Sequence, residues 1–252
     1  MAAKPMSGAS GPAPLPRAVA PLLSLVAGYV DSITFLALFG FFAAQVTGSF
    51  VVAAAELVVD DRSVAAKMLA IPAFMLGAGI AAAIIIMRRG AKRSSLPLVF
   101  TLEALLLAAF VALMLYAWPI TDPDAWLGAI AGLLSAAAMG VQSTLVRLLL
   151  RGVPQTNVMT GNSTQLAIDA TELIYARLRP AQVAADPALA AQVAEARKRF
   201  ATVFLVLTGF LVGALGGAVA YMTAGAWSAC LAIVIVSGLV AWSARRGGSD
   251  PA

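Results

Sequence analysis

The sequence predicts an all-α membrane protein of about six transmembrane helices, arranged as two inverted three-helix repeats that each carry a Thr-Gly re-entrant or interfacial segment. Three observations point there: an apolar composition, the sign of the charges between apolar stretches, and a match between the two halves. Of 252 residues, 61% are hydrophobic and 12% charged, against about a quarter charged in soluble domains, and the mean hydropathy is +0.92. Such a chain needs lipid around it. A hydrocarbon core of about 30 Å takes roughly 20 apolar residues per helix, and six stretches qualify: 18–39, 66–87, 96–118, 127–147, 201–222 and 225–244.

A net charge of +5 and a pI near 9.8 would suggest nucleic acid in a soluble protein. Here the charge reads as topology, because Lys and Arg gather on the cytoplasmic side, and the expected partner is the lipid bilayer with no nucleic acid. Arg88, Arg89, Lys92 and Arg93 mark an inside loop, and Asp122 and Asp124 an outside one. Alternation places Lys4, Arg17, Arg147, Arg151, Arg177, Arg179, Arg197, Lys198, Arg199, Arg245 and Arg246 inside, leaving Arg62 and Lys67 outside. Both termini are then cytoplasmic. Tyr116, Trp118, Trp126, Tyr221 and Trp227 fall at outer span ends and Trp242 at an inner one, as interfacial aromatics do. Residues 1–17, with Pro5, Pro12, Pro14 and Pro16, read as a disordered cytoplasmic tail, 174–200 as a cytosolic linker ending in a short basic surface helix, and 245–252 as a second tail. One cysteine, Cys230, and no histidine remove disulfides, imidazole chemistry and His-ligated metals. No cofactor, metal or catalytic residue is expected.

Within the two repeats, 18–118 and 127–244, Gly28-Tyr29-Val30-Asp31-Ser32 with Gly40 matches Gly140-Val141-Gln142-Ser143-Thr144 with Gly152. Gln45-Val46-Thr47-Gly48-Ser49 running to Glu56 matches Val158-Met159-Thr160-Gly161-Asn162 running to Asp169, and Phe74 with Gly77 matches Phe210 with Gly213. Three spans per half is odd, so the second half enters from the opposite side, as in inverted-repeat transporters. The segments 41–59 and 153–173 sit badly as full spans. The first would upset the charge pattern, and the second carries Gln155, Thr156, Asn157, Asn162, Ser163, Thr164, Gln165 and Asp169. Two opposed re-entrant hairpins with tips at Thr47-Gly48 and Thr160-Gly161 satisfy both constraints, with glycine allowing a tight turn and a half-helix starting at Ser49 or Asn162. Interfacial helices, or a seventh or eighth span, are the alternatives.

Asp31, an ionisable group about a dozen residues into span one, suits a proton acceptor, a cation ligand or a hydrogen bond to a neighbouring helix. With it, Gln45, Thr47, Gly48, Ser49, Gln142, Ser143, Thr156, Asn157, Thr160, Gly161, Asn162 and Gln165 form a candidate polar pocket on the matching blocks. Glu103 lies nearer the basic loop and reads as structural. Arg147 suits a snorkelling anchor or a partner for Asp169. Gly77-Ala78-Gly79 and Gly209 to Gly213, extended by Gly217, suit bundle packing or a homodimer face, and Pro72 suits a kink.

The blocks at Gly28 to Leu36, Thr47-Gly48, Gly140-Val141-Gln142-Ser143 with Arg147, and Thr160-Gly161-Asn162 resemble the YoaK family, small bacterial multi-pass membrane proteins described as a domain of unknown function. The resemblance runs from about 18 to 244. Ser49 departs from it, standing where the family has Asn. It implies a bacterial inner-membrane location and a six-span body, and brings no substrate and no catalytic residue. The leading functional expectation from the residues is a secondary transporter for a small polar or ionic solute. A passive channel and a non-transporting assembly or lipid- or partner-binding protein are the alternatives.

Overall fold

The computed structural model describes residues 18–59, 64–89, 94–150 and 152–245. Lys4, Arg17, Arg62, Lys92, Arg93, Arg151 and Arg246, and the tails 1–17 and 246–252, lie outside the described residues. The described chain is helical: α1 (Val19–Ala37), α2 (Val46–Val59), a short α3 (Val64–Met68) leading into α4 (Ala70–Met87), α5 (Leu96–Tyr116), α6 (Trp126–Leu149), α7 (Met159–Leu178), α8 (Pro180–Ala185), α9 (Pro187–Ala224) and α10 (Cys230–Arg245).

Five stretches are long and apolar enough to cross a membrane: Val19–Ala37, Val64–Met87, Leu96–Tyr116, Trp126–Leu149 and Pro187–Arg245. The last holds 59 residues, about three times what one crossing takes. It breaks at Gly225, whose φ of 54° ends α9 before a 3-10 turn leads into α10. The sequence reading starts a span at 201, but α9 begins at Pro187. Proline suits the first turn, where its missing N–H is no loss, and the carboxylate of Asp186 caps the helix by accepting from Ala188 and Leu189 at 2.8 and 3.3 Å. Residues 174–200 accordingly carry the end of α7, all of α8 and the start of α9, and Arg197 to Arg199 are continuous with the apolar part of α9.

α1 and α6 are the central helices. Their most apolar windows are 67% and 61% buried, against 22% for the α3–α4 stretch, whose Met75, Leu76, Ile80 and Ile86 point outward as lipid-facing side chains do. α1 lies along α9, α4 lies along α6, and α5 packs on α6 and α10. Glycine sets how close these pairs come. A Cβ on Gly28 would strike the carbonyl of Phe210, and one on Gly140 the carbonyl of Phe74; in return Gly213 abuts the carbonyl of Leu25, and Gly77 that of Ala137. Small residues let backbones approach where apolar area alone drives no association. The glycines at 77, 209, 213 and 217 are thus engaged inside the chain, while Gly79 meets nothing within 4 Å. At one end of the bundle Trp118 stacks edge-on against Tyr221 with centroids 5.7 Å apart, and Tyr116, Trp126 and Trp227 are exposed.

Candidate functional site

After α1 the chain turns at Phe39 and Gly40, with φ of 52° and 85°, and runs back along the helix it has just left. The N–H groups of Ala43 and Ala44 donate to Asp31 Oδ1 at 2.8 and 2.6 Å, and that of Gln45 to Oδ2 at 3.1 Å. Asp31 lies six residues before the end of α1, or about 9 Å at 1.5 Å per residue. Ser49 Oγ closes the loop, accepting from Phe42 N at 2.9 Å and donating to Phe42 O at 3.0 Å. α2 then passes back over the turn, where Val52 would touch a Cβ on Gly40, and Glu56 pairs with Lys67 of α3.

The segment after α6 follows the same course. Gly152, with φ 77°, turns the chain back, so that Ser143 Oγ donates to Gln155 Oε1 at 3.1 Å and Gln142 Nε2 to Thr156 Oγ1 at 2.9 Å. Asn162 Nδ2 reaches back to Gln155 O at 2.7 Å. α7 ends this course against α9, where Arg199 Nε donates to both oxygens of Asp169 at 3.0 and 3.1 Å and Gln165 Nε2 to Oδ1 at 2.9 Å. Burial raises the pKa of Asp169, and the hydrogen bonds from Arg199 and Gln165 more than reverse this, holding it below the usual carboxylate range.

The two doubled-back loops meet, but not at the Thr-Gly pairs. Asn157 Nδ2 donates to Ala44 O at 3.3 Å, three residues ahead of each Thr-Gly. Thr47, Thr160 and Gly161 are exposed, and Gly48 lies in the first turn of α2. The turns fall instead at Gly40 and Gly152, because α2 and α7 begin before their Thr-Gly pairs, at Val46 and Met159. The half-helices therefore do not start at Ser49 and Asn162, whose side chains tie the helix back to the loop. Asp31, Ser49, Gln142, Asn157 and Asn162 are buried at this junction, with Gln45 and Ser143 beside it, whereas Gln165 stands with the Asp169 pair. A groove of about 300 Å³ opens along Asp31, Ser32, Gln45 and Phe210. Ser24, which the sequence reading did not single out, donates to Thr156 O at 3.1 Å and Val206 O at 2.7 Å and so ties α1 to the second loop and to α9.

Arg147 is exposed and Arg199 takes the place proposed for it at Asp169. Glu103 is fully buried in α5, and neither of its oxygens has a hydrogen-bond partner among the described residues. Lys67, one of the two basic residues that the charge pattern leaves outside, is buried against Glu56. Lys67→Met strands a partly buried carboxylate and is expected to cost about 2 kcal/mol, read as a lower melting temperature of the detergent-purified protein. Lys67→Met with Glu56→Gln should recover most of the loss.

With this geometry in place, one comparison is decisive: a family model described as "Protein of unknown function (DUF1275)" matches residues 19–242. The chain belongs to the DUF1275 family. No curated protein and no solved structure matches it. The DUF1275 match takes in both doubled-back loops and every helix they touch, and it bears out the YoaK-like resemblance. For this DUF1275 chain, a multi-pass membrane protein follows from the family together with the apolar stretches.

Proposed function

We propose that the protein carries a small polar or ionic solute across the membrane, using a six-span body of two inverted halves whose doubled-back loops enter from opposite sides and meet at the solute site. The observation that carries this reading is a matched crossing. The positions aligned in the sequence, 28 with 140, 74 with 210 and 77 with 213, make the same close backbone contacts, each time between one half's first span and the other half's second. Within the loops the match extends to Ser49 on Phe42 and Asn162 on Gln155, and to one acid–base clamp per half. Counting α9 beyond residue 200 and α10 as separate spans makes six, three per half, and an odd number inverts the second half. Arg88 and Arg89 then mark the cytoplasmic side, and the family resemblance favours the bacterial inner membrane.

Both doubled-back loops border open space, as a solute path needs. Near Gly152 a cavity of about 500 Å³ opens among Val19, Val153, Arg197, Lys198 and Thr202. Beside the first loop the groove along Asp31, Phe42 and Gln45 holds about 300 Å³.

Cysteine labelling tests the reading. In a Cys230→Ser background, Gln45→Cys and Val153→Cys are labelled in intact and permeabilised cells with an impermeant thiol reagent, using Asp122→Cys and Arg89→Cys as controls for the two sides. The expected result is labelling of Val153→Cys from the Arg89 side and of Gln45→Cys from the Asp122 side. Labelling of both from one face, or of neither while the controls react, would end the opposed-loop reading and favour a non-transporting protein.

A further inference from the structure

In the first loop four successive N–H groups, of Phe42, Ala43, Ala44 and Gln45, all have acceptors, three of them supplied by Asp31. Their aligned counterparts are Gln155, Thr156, Asn157 and Val158. Among the described residues no acceptor bonds the N–H groups of Gln155, Thr156 or Asn157, although Thr156 and Asn157 are buried, and the Val158 N–H faces Gln155 O across the turn at 156–157. The cause lies in two substitutions. Ser143 stands where the first half has Asp31 and is too short and uncharged to take its place, its hydroxyl being turned to Gln155 Oε1. Asn162 stands where the first half has Ser49 and donates its amide to Gln155 O, offering nothing to Gln155 N. Buried backbone donors are nearly always paired, and a run of successive N–H groups forms an anion-binding cradle.

A second, independent observation marks the same place. Gln142 Oε1 and Asn157 Oδ1 are buried without a hydrogen-bond partner among the described residues. Gln142 is held by its Nε2 on Thr156 Oγ1 at 2.9 Å and on Leu23 O at 3.0 Å, so its planar amide keeps Oε1 beside the loop to which Asn157 belongs. A ligand that answers both sets brings acceptor oxygens for the N–H groups and a donor hydrogen for the amide oxygens. The 500 Å³ cavity reaches Gly152 and Val153, immediately before the loop, and carries Arg197 and Lys198, which draw anions inward.

We infer that the loop from Gln155 to Asn157, with Gln142, binds a small carboxylate, favoured where the molecule also carries a hydroxyl. Asp31 is the built-in version of that ligand in the other half. This deepens the transport reading by naming its class of solute and rests on the same matched halves.

Hydrogen–deuterium exchange on the purified full-length protein, with glycolate as probe and chloride at equal ionic strength as control, tests the assignment. Glycolate should slow exchange several-fold in peptides covering 153–160 of the wild type. Ser143→Asp, which supplies a carboxylate from within, should show slow exchange there without glycolate and no further response to it. Unchanged exchange in the wild type, or equal glycolate protection of Ser143→Asp, would overturn the site, and the wild-type comparison decides alone if that variant does not fold. Protection without glycolate flux in proteoliposomes would keep the site and remove the transport reading.

Discussion

Alanine at Gly28 or Gly140 leaves little folded protein, whereas alanine at Gly79 or Gly216 is neutral or mildly stabilising. All four changes are chemically the same. At 28 and 140 the added methyl meets a backbone carbonyl of the facing helix, Phe210 or Phe74, and a backbone cannot step aside as a flexible side chain can. The two helices must separate along their whole contact. Overpacking costs about 1–3 kcal/mol and occasionally more, and these positions belong at the upper end. At 79 and 216 a Cβ meets nothing within 4 Å, so only helix propensity changes, in favour of alanine by about 0.5–1 kcal/mol. Fluorescence-detected size exclusion after a heat step separates the two pairs. Folding of Gly28→Ala and Gly140→Ala at wild-type temperatures would mean that the α1–α9 and α4–α6 contacts are looser than described.

The second large effect is at Asp31. Asp31→Ala removes the acceptor for three N–H groups of a loop turned back along its own helix. Hydrogen bonds to charged groups contribute about 1.5–3 kcal/mol each without full additivity, so a loss of about 3 kcal/mol or more is expected. Asp31→Asn keeps the oxygen that serves Ala43 and Ala44 and gives up the bond from Gln45, so it should fall between the wild type and alanine. The check is the order of melting temperatures, wild type above Asn above Ala. Alanine at wild-type stability would show that the loop is held by Ser49 and packing alone.

Much of this was legible in the sequence because it rests on periodic or paired signals. The apolar stretches announced the membrane-spanning helices, and the matched glycines at 28 and 140 and at 77 and 213 fell on close helix contacts. The loops' polar residues also declared themselves, since Asp31, Gln142 and Asn157 are expensive in a lipid-bounded core and are there because the loops need partners. Three features were not legible. That the turns fall at Gly40 and Gly152 rather than at Gly48 and Gly161 depends on where α2 and α7 begin, and Val46 and Met159 carry no capping signal. The partner of Asp169 depends on how α9 lies against α7, which placed Arg199 rather than Arg147 beside it. Ser24 looked like any serine in an apolar span; its two long-range bonds exist because α1 lies between the second loop and α9.

The pairing of α1 with α9 also sets a timetable for synthesis. α6 follows its partner α4 closely, but Gly213 is made long after Leu25, the residue whose carbonyl it packs against. At about 5–20 residues per second, the first helix to emerge waits roughly 10–35 s for the surface that buries it. During that interval the α1 backbone at Pro21, Leu25, Gly28 and Tyr29 has only lipid or the insertion machinery for company, whereas the carboxylate of Asp31 already holds the N–H groups of its own loop. The last helix pair to be translated is therefore what releases the first from its dependence on that machinery, and an early stop codon ahead of α9 would leave a nascent chain that quality-control proteases can recognise by its first helix.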